Sequence, residues 1–220
     1  MFKVLITIVI KYFICFLGKS TFLLQLLQHR EVLFDTKFDR ILYYMPRAHL
    51  GAHEHYINEL KSVCSNIEIM FGLPESHDFR ANYLPKLLLI DDQMVALLNS
   101  PQMEDFFTHD SHHYNCSVFF TLQNFYSSSR SKTIVRQSMY KVIFNDVGDK
   151  TLMRNISCLI APTNPQFISK CFQNLDQRFP DSQNFLLIDT NPKSVMKQMP
   201  VRAKIFPNKD NKIEPICFFP

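Results

Sequence analysis

Lys86-Leu-Leu-Leu-Ile-Asp-Asp92 is the stretch on which the reading of this chain turns: four aliphatic residues without alternation, running into two acids. A strand with one solvated face alternates apolar and polar residues. An unbroken apolar run belongs instead to a strand covered on both faces, as in a parallel sheet with helices on either side. Three similar runs follow, Ser117-Val-Phe-Phe-Thr-Leu122, Tyr140-Lys-Val-Ile-Phe144 and Asn184-Phe-Leu-Leu-Ile188. Upstream, residues 4–10, 40–45 and 66–71 also read as strands; Pro46 stops the second, and Gly72-Leu-Pro74 the third. Between the strands the apolar spacing turns helical, at residues 22–27, 53–63, 93–107, 132–139, 151–159 and 164–175. Strands alternating with helices in this way predict an α/β fold with a mostly parallel sheet. The predicted divisions are an apolar strand segment over 1–17, a core over 18–190, and a proline-punctuated tail over 191–220 with a short strand at 201–206.

Composition narrows the class. The 220 residues include 4 glycines, no tryptophan, 21 phenylalanines and 46% hydrophobic residues. Ordinary usage would supply about 15 glycines, so collagen-like and glycine-rich low-complexity readings fail. With 20% charged residues and this apolar content, the chain buries enough surface to offset its ordering entropy. The net charge of +4 is mild and its lysines and arginines are scattered, which by itself does not argue for nucleic acid. Six cysteines lie far apart with no C-x-x-C pair, as expected of reduced thiols in a cytosolic or nuclear protein. Residues 4–17 are almost wholly apolar, but Lys11 interrupts them and they fall short of the roughly 20 residues of a membrane-spanning helix. A signal peptide is the other reading of that segment. Gly18-Lys-Ser-Thr21 stands where its small-residue cleavage site belongs, and the β-branched content favours a buried strand.

In a parallel α/β sheet, ligands bind beyond the carboxyl ends of the strands. Gly18-Lys-Ser-Thr21 lies between a predicted strand and a predicted helix, and is the second half of a P-loop. In that motif amides at the helix N-terminus hold phosphate oxygens, the lysine reaches the β and γ phosphates, and the hydroxyl ligates Mg²⁺. The first glycine of the motif is replaced by Phe13, and Phe13-Ile-Cys-Phe-Leu17 is bulky where phosphate approaches the backbone. Asp91-Asp92 after an apolar strand has the form of a Walker B segment, whose first acid helps hold Mg²⁺ and whose second orients and deprotonates water. Gln123 directly follows the run 117–122. It would face the γ-phosphate if that strand lies between the strand before Gly18 and the strand before Asp91.

With these segments in order, the sequence resembles P-loop ATPases of the FtsK/HerA class, and most closely the genome-packaging ATPases of large DNA viruses and Maverick/Polinton transposons. The resemblance rests on Gly18-Lys-Ser-Thr21, Leu87-Leu-Leu-Ile-Asp-Asp92, and Ser111-His-His-Tyr-Asn-Cys-Ser-Val-Phe-Phe-Thr-Leu-Gln123. It continues more weakly through Ser131-Lys-Thr-Ile-Val-Arg136, Phe185-Leu-Leu-Ile-Asp-Thr190 and Met199-Pro-Val-Arg-Ala-Lys-Ile-Phe206. It implies a RecA-like ASCE fold, Mg²⁺-dependent ATP hydrolysis, a homo-oligomeric ring, and movement of double-stranded DNA into a capsid. The implied setting is the cytoplasm or nucleus, or the virion for a viral protein, with no membrane association. Carried over by position, Gly18, Lys19, Ser20 and Thr21 would bind the nucleotide. Ser20 and Asp91 would hold the metal, Asp92 would be the base, and Gln123 the sensor. Arg136 would be the finger reaching a neighbouring subunit, with Arg130 and Arg154 as rivals. The missing glycines before Gly18 imply impaired ATP binding. The alternative is a catalytically degenerate P-loop domain serving as a nucleotide-binding or scaffold module. A P-loop kinase would need an arginine-rich lid, which the sequence lacks.

Two histidine clusters, His53-Glu-His55 and His109-Asp-Ser-His-His113, invite a metal reading. Neither pairs with cysteines at ligand spacing, and the second is better placed in the turn before Ser117.

Overall fold

The computed structural model describes residues 5–9, 17–51, 53–80, 82–122, 129–145, 150–194, 198–208 and 210–220. The first half comprises β1 (Leu5–Val9), α1 (Leu17–Gln28), α2 (Arg30–Leu33), β2 (Arg40–Met45), a 3-10 turn (Arg47–His49), α3 (Glu54–Val63), β3 (Ile67–Phe71), α4 (Ser76–Arg80) and β4 (Lys86–Ile90). There follow α5 (Met94–Asn99), α6 (Pro101–Asp105), a π turn (Phe106–Asp110), α7 (Ser111–His113), β5 (Cys116–Leu122), α8 (Ser129–Gln137) and β6 (Tyr140–Phe144). Helices α9 (Lys150–Ile160) and α10 (Phe167–Arg178) precede β7 (Phe185–Asp189), β8 (Val201–Ala203) and β9 (Ile216–Phe218).

The described strands form one nine-stranded sheet in the order β3-β2-β4-β5-β1-β6-β7-β8-β9. From β3 to β6 all neighbours are parallel, and β7 to β9 add an antiparallel edge. This is the α/β architecture with a mostly parallel sheet that the apolar runs predict, and it is consistent with a RecA-like fold.

The runs are unbroken because both faces are covered. Ile41, Tyr43, Met45, Leu87, Leu89 and Phe119 pack with α1 and α3 through Phe22, Leu23, Leu27, Ile57 and Leu60. Their neighbours Leu42, Tyr44, Leu88, Ile90, Val118 and Phe120 face the other way, into Leu97, Phe107, Ile134, Ile156 and Phe172. The period-2 alternation of a strand therefore survives as alternation between two dry layers.

Two lysines interrupt the runs, and each is hydrogen-bonded locally. Lys86 is fully buried, and its ammonium donates to the Asn82 carbonyl and Oδ1 (both 2.7 Å) and to the Leu84 carbonyl (3.1 Å). Lys141 donates to the Ser138 carbonyl (2.7 Å) and Thr190 Oγ1 (2.9 Å), and burial pulls its pKa down to about 8.

The structure departs from the predicted elements where backbone chemistry intervenes. The helix predicted over 93–107 is interrupted, because Pro101 lacks an N–H and opens a new helix at α6. The strand predicted over 201–206 stops at Ala203, and Lys204 follows with φ of 53°. Among the described residues no helix is long and apolar enough to cross a membrane.

Leu88 is wholly buried in the middle of β4, whereas Val32 is 56% exposed. Leu88→Ala is expected to lower unfolding free energy by about 2–5 kcal/mol, and Val32→Ala by less than about 0.5 kcal/mol, in urea titrations.

Candidate functional site

The end of β4 is built by both of its neighbours. Its register sets Tyr44 of β2 and Phe120 of β5 beside Ile90. The ladder reaches one residue further, because the Asp91 N–H donates to the Tyr44 carbonyl (2.9 Å). Asp91 is buried, and each of its carboxylate oxygens has a donor. Tyr43 Oη donates to Oδ2 from one side (2.8 Å), and Thr121 Oγ1 donates to Oδ1 from the other (2.8 Å). The Thr121 oxygen also accepts the Asp92 N–H (3.0 Å). One hydroxyl thus ties both acids to β5.

Asp92 has φ of 51°, a left-handed conformation that costs a non-glycine residue about 1–2 kcal/mol. It is half-buried, and its Oδ2 lies 3.5 Å from His49 Nδ1 in the turn after β2. That turn follows directly from Pro46, which ends β2 next to β4.

The helix carrying Gly18-Lys-Ser-Thr21 is linked to the same centre. All four residues lie in the opening turns of α1, with Gly18 buried and Lys19 and Ser20 half-buried. Tyr56 of α3 donates to the Ser20 carbonyl (3.4 Å), and its ring packs edge-on against Tyr43 at 6.1 Å. Burial first, and then the neighbouring Asp91 charge, push the pKa of both Tyr43 and Tyr56 far above the usual phenol value. Both therefore remain neutral at pH 7, and Tyr43 serves Asp91 as a donor.

Beside α1, on the β6–β7 side of β1, opens a cavity of about 670 Å³. Gly18 and Thr21 line it together with Phe144, Phe185, Phe206 and Lys204. The Gln183 amide occupies the place a Cβ on Gly18 would take (2.3 Å), so a larger residue there would have to displace it. Lys204 Nζ lies 4.3 Å from the centre of the Phe179 ring, and Arg178 also lies over that ring at 5.4 Å. A second cavity, of about 440 Å³, lies at the opposite end of the strands around Tyr140, Leu187, and the Asp189–Arg202 ion pair (2.5 Å).

The residues present suit a magnesium nucleotide. Mg²⁺ takes oxygen donors and keeps several waters, and Asp91 retains acceptor capacity on both oxygens after its two protein bonds. Ser20 lies on the adjoining helix, and the first turn of any helix has backbone amides without intrahelical partners that can meet a phosphate.

Gln123 and residues 13–16 of the loop before Gly18 lie outside the described residues. Arg136 and Arg154 are exposed on α8 and α9, whose apolar sides pack on the face of the sheet opposite α1; Arg130 also belongs to α8. The histidine clusters resolve into local contacts. His53 packs against His49 at 5.3 Å, exposed His55 pairs with Glu59, and His109 contacts His113 and Asp110. Among the described residues no group of three His, Cys, Asp or Glu is arranged to hold a metal ion.

Tyr43, His49, Tyr56 and Thr121 are the site residues that sequence reasoning missed. Only the pairing of β2 and β5 with β4 identifies Tyr43 and Thr121, because their own segments read as core strand. No family model matches the chain, and no curated protein matches it.

Removing a hydrogen bond to a buried charge costs about 1.5–3 kcal/mol. Tyr43→Phe is expected to lose about that much in urea unfolding. Thr121→Val should lose more, because it removes a donor to Asp91 and an acceptor for Asp92 together. Equal or smaller losses in Thr121→Val would mean that the shared hydroxyl does not couple the two acids.

Proposed function

We propose that this chain is a P-loop ATPase that hydrolyses Mg-ATP, of the kind that moves double-stranded DNA. The observation that supports it most is the strand order β4-β5-β1: the strand ending in Asp91-Asp92 is separated from the strand before Gly18-Lys-Ser-Thr21 by one strand, which runs into Gln123. That order meets the condition under which an amide after β5 faces the γ-phosphate.

In this reading Lys19 and the first amides of α1 bind the phosphates, and Ser20 and Asp91 hold the ion. Mg²⁺ held there would supply positive charge against the charge developing on the β and γ phosphates. Asp92 accepts the proton of the attacking water, Gln123 orients that water, and an exposed arginine, Arg136 foremost, reaches the next subunit's phosphates. The cavity beside Gly18 and Thr21 receives the nucleoside, its aromatic walls meeting the base. Ring assembly, duplex DNA, capsid components and a cytoplasmic, nuclear or virion setting are carried by the resemblance of residues 111–123 and 199–206.

One observation favours the second reading, a degenerate nucleotide-binding or scaffold module: Phe13-Ile-Cys-Phe-Leu17 offers no glycine for close phosphate approach. Phosphate release separates the two. Lys19→Ala and Asp92→Asn are each expected to lower turnover about 100-fold or more without unfolding the protein. Mg-ATP binding with no turnover above the Asp92→Asn background would favour the scaffold.

The nucleoside cavity has its own test by calorimetry. ATP should bind about tenfold more tightly than inorganic tripolyphosphate, and Lys204→Ala should reduce that advantage. Equal affinities would place the base outside the cavity.

A further inference from the structure

We infer that His49 is a positioning residue for Asp92, and that the histidine–tyrosine series of the β2–α3 segment serves the acids rather than a metal. The inference rests on the ATPase reading above, in which Asp92 is the base.

His49 Nδ1 is shielded from water and has no hydrogen-bond partner of acceptable geometry among the described residues, yet Asp92 Oδ2 lies 3.5 Å away. A buried imidazole nitrogen left unbonded is costly. A closure of a few tenths of an ångström turns this contact into a hydrogen bond in the Nδ1–H tautomer. Hydrogen bonds at catalytic groups are often long before substrate binds and tighten afterwards.

The surroundings restrict how His49 can move. Its ring packs on His53 at 5.3 Å, His53 meets Tyr56 edge-on at 6.5 Å, and Tyr56 packs against Tyr43, the donor to Asp91. Tyr56 also reaches the carbonyl of Ser20. The series therefore connects the phosphate-loop helix, the metal-holding acid and the base. On the backbone side, Asp92 is anchored through its N–H to Thr121, in a left-handed conformation. An N–H from His49 to Oδ2 adds a restraint on the rotation of the carboxylate to the anchoring of its backbone on β5.

The test is steady-state ATPase kinetics on the full chain with Mg-ATP. His49→Ala is expected to lower kcat about tenfold while KM stays within about twofold, as for other residues that orient a reacting group through a hydrogen bond. His49→Gln, which keeps an N–H donor, should recover most of the loss. His49→Phe, which keeps only the ring packing, should not. An unchanged kcat in His49→Ala, or equal recovery by Gln and Phe, overturns the positioning role while leaving the ATPase intact. A wild-type chain with no more turnover than Asp92→Asn overturns both.

Discussion

A parallel strand cannot turn back on itself through a short hairpin; each return needs a crossover, usually a helix. From β3 to β6 this constraint determines nearly everything else. Crossovers cover both faces of the sheet, so interior strand positions must be apolar on both sides. Polar chemistry is left to the strand ends. Asp91 and Asp92 come one step after Ile90, where covering stops and neighbouring strands can still hold a side chain.

The two ends of the sheet carry different chemistry. Lys86 and Lys141 enter near the starts of their strands and are satisfied by nearby carbonyls and by the Asn82 and Thr190 side chains. The carboxyl ends carry acids held by phenol and hydroxyl donors instead. Ion binding suits the second arrangement, since a carboxylate with spare lone pairs accepts a cation, whereas a buried ammonium already donating to carbonyl and side-chain oxygens has little left to offer an anion.

Much of this was legible in the residues. Apolar runs at 86–90, 117–122 and 140–144 mark strands covered on both faces, and their helical separators mark the crossovers. The paired acids and the glycine–lysine–serine–threonine turn are visible for the same reason: charge or glycine placed against an apolar background. Tyr43, Thr121 and Tyr56 were not legible, because their role depends on which strand or helix lies alongside, and that order is set by long-range packing. Pro101 was visible, but its effect of opening a second helix rather than bending one long helix depends on the turn around Ser100. The helix end at Gln137 and the short β9 reflect local balances that periodicity does not resolve.

Thr121 gives its proton to one acid and its lone pair to the backbone of the other. These two bonds share an oxygen, so they strengthen and fail together. Displacing β5 along β4 would loosen both bonds together, leaving the buried carboxylate to Tyr43 alone and the Asp92 backbone without its tether. The strand that leads toward Gln123 therefore holds both acids through one atom.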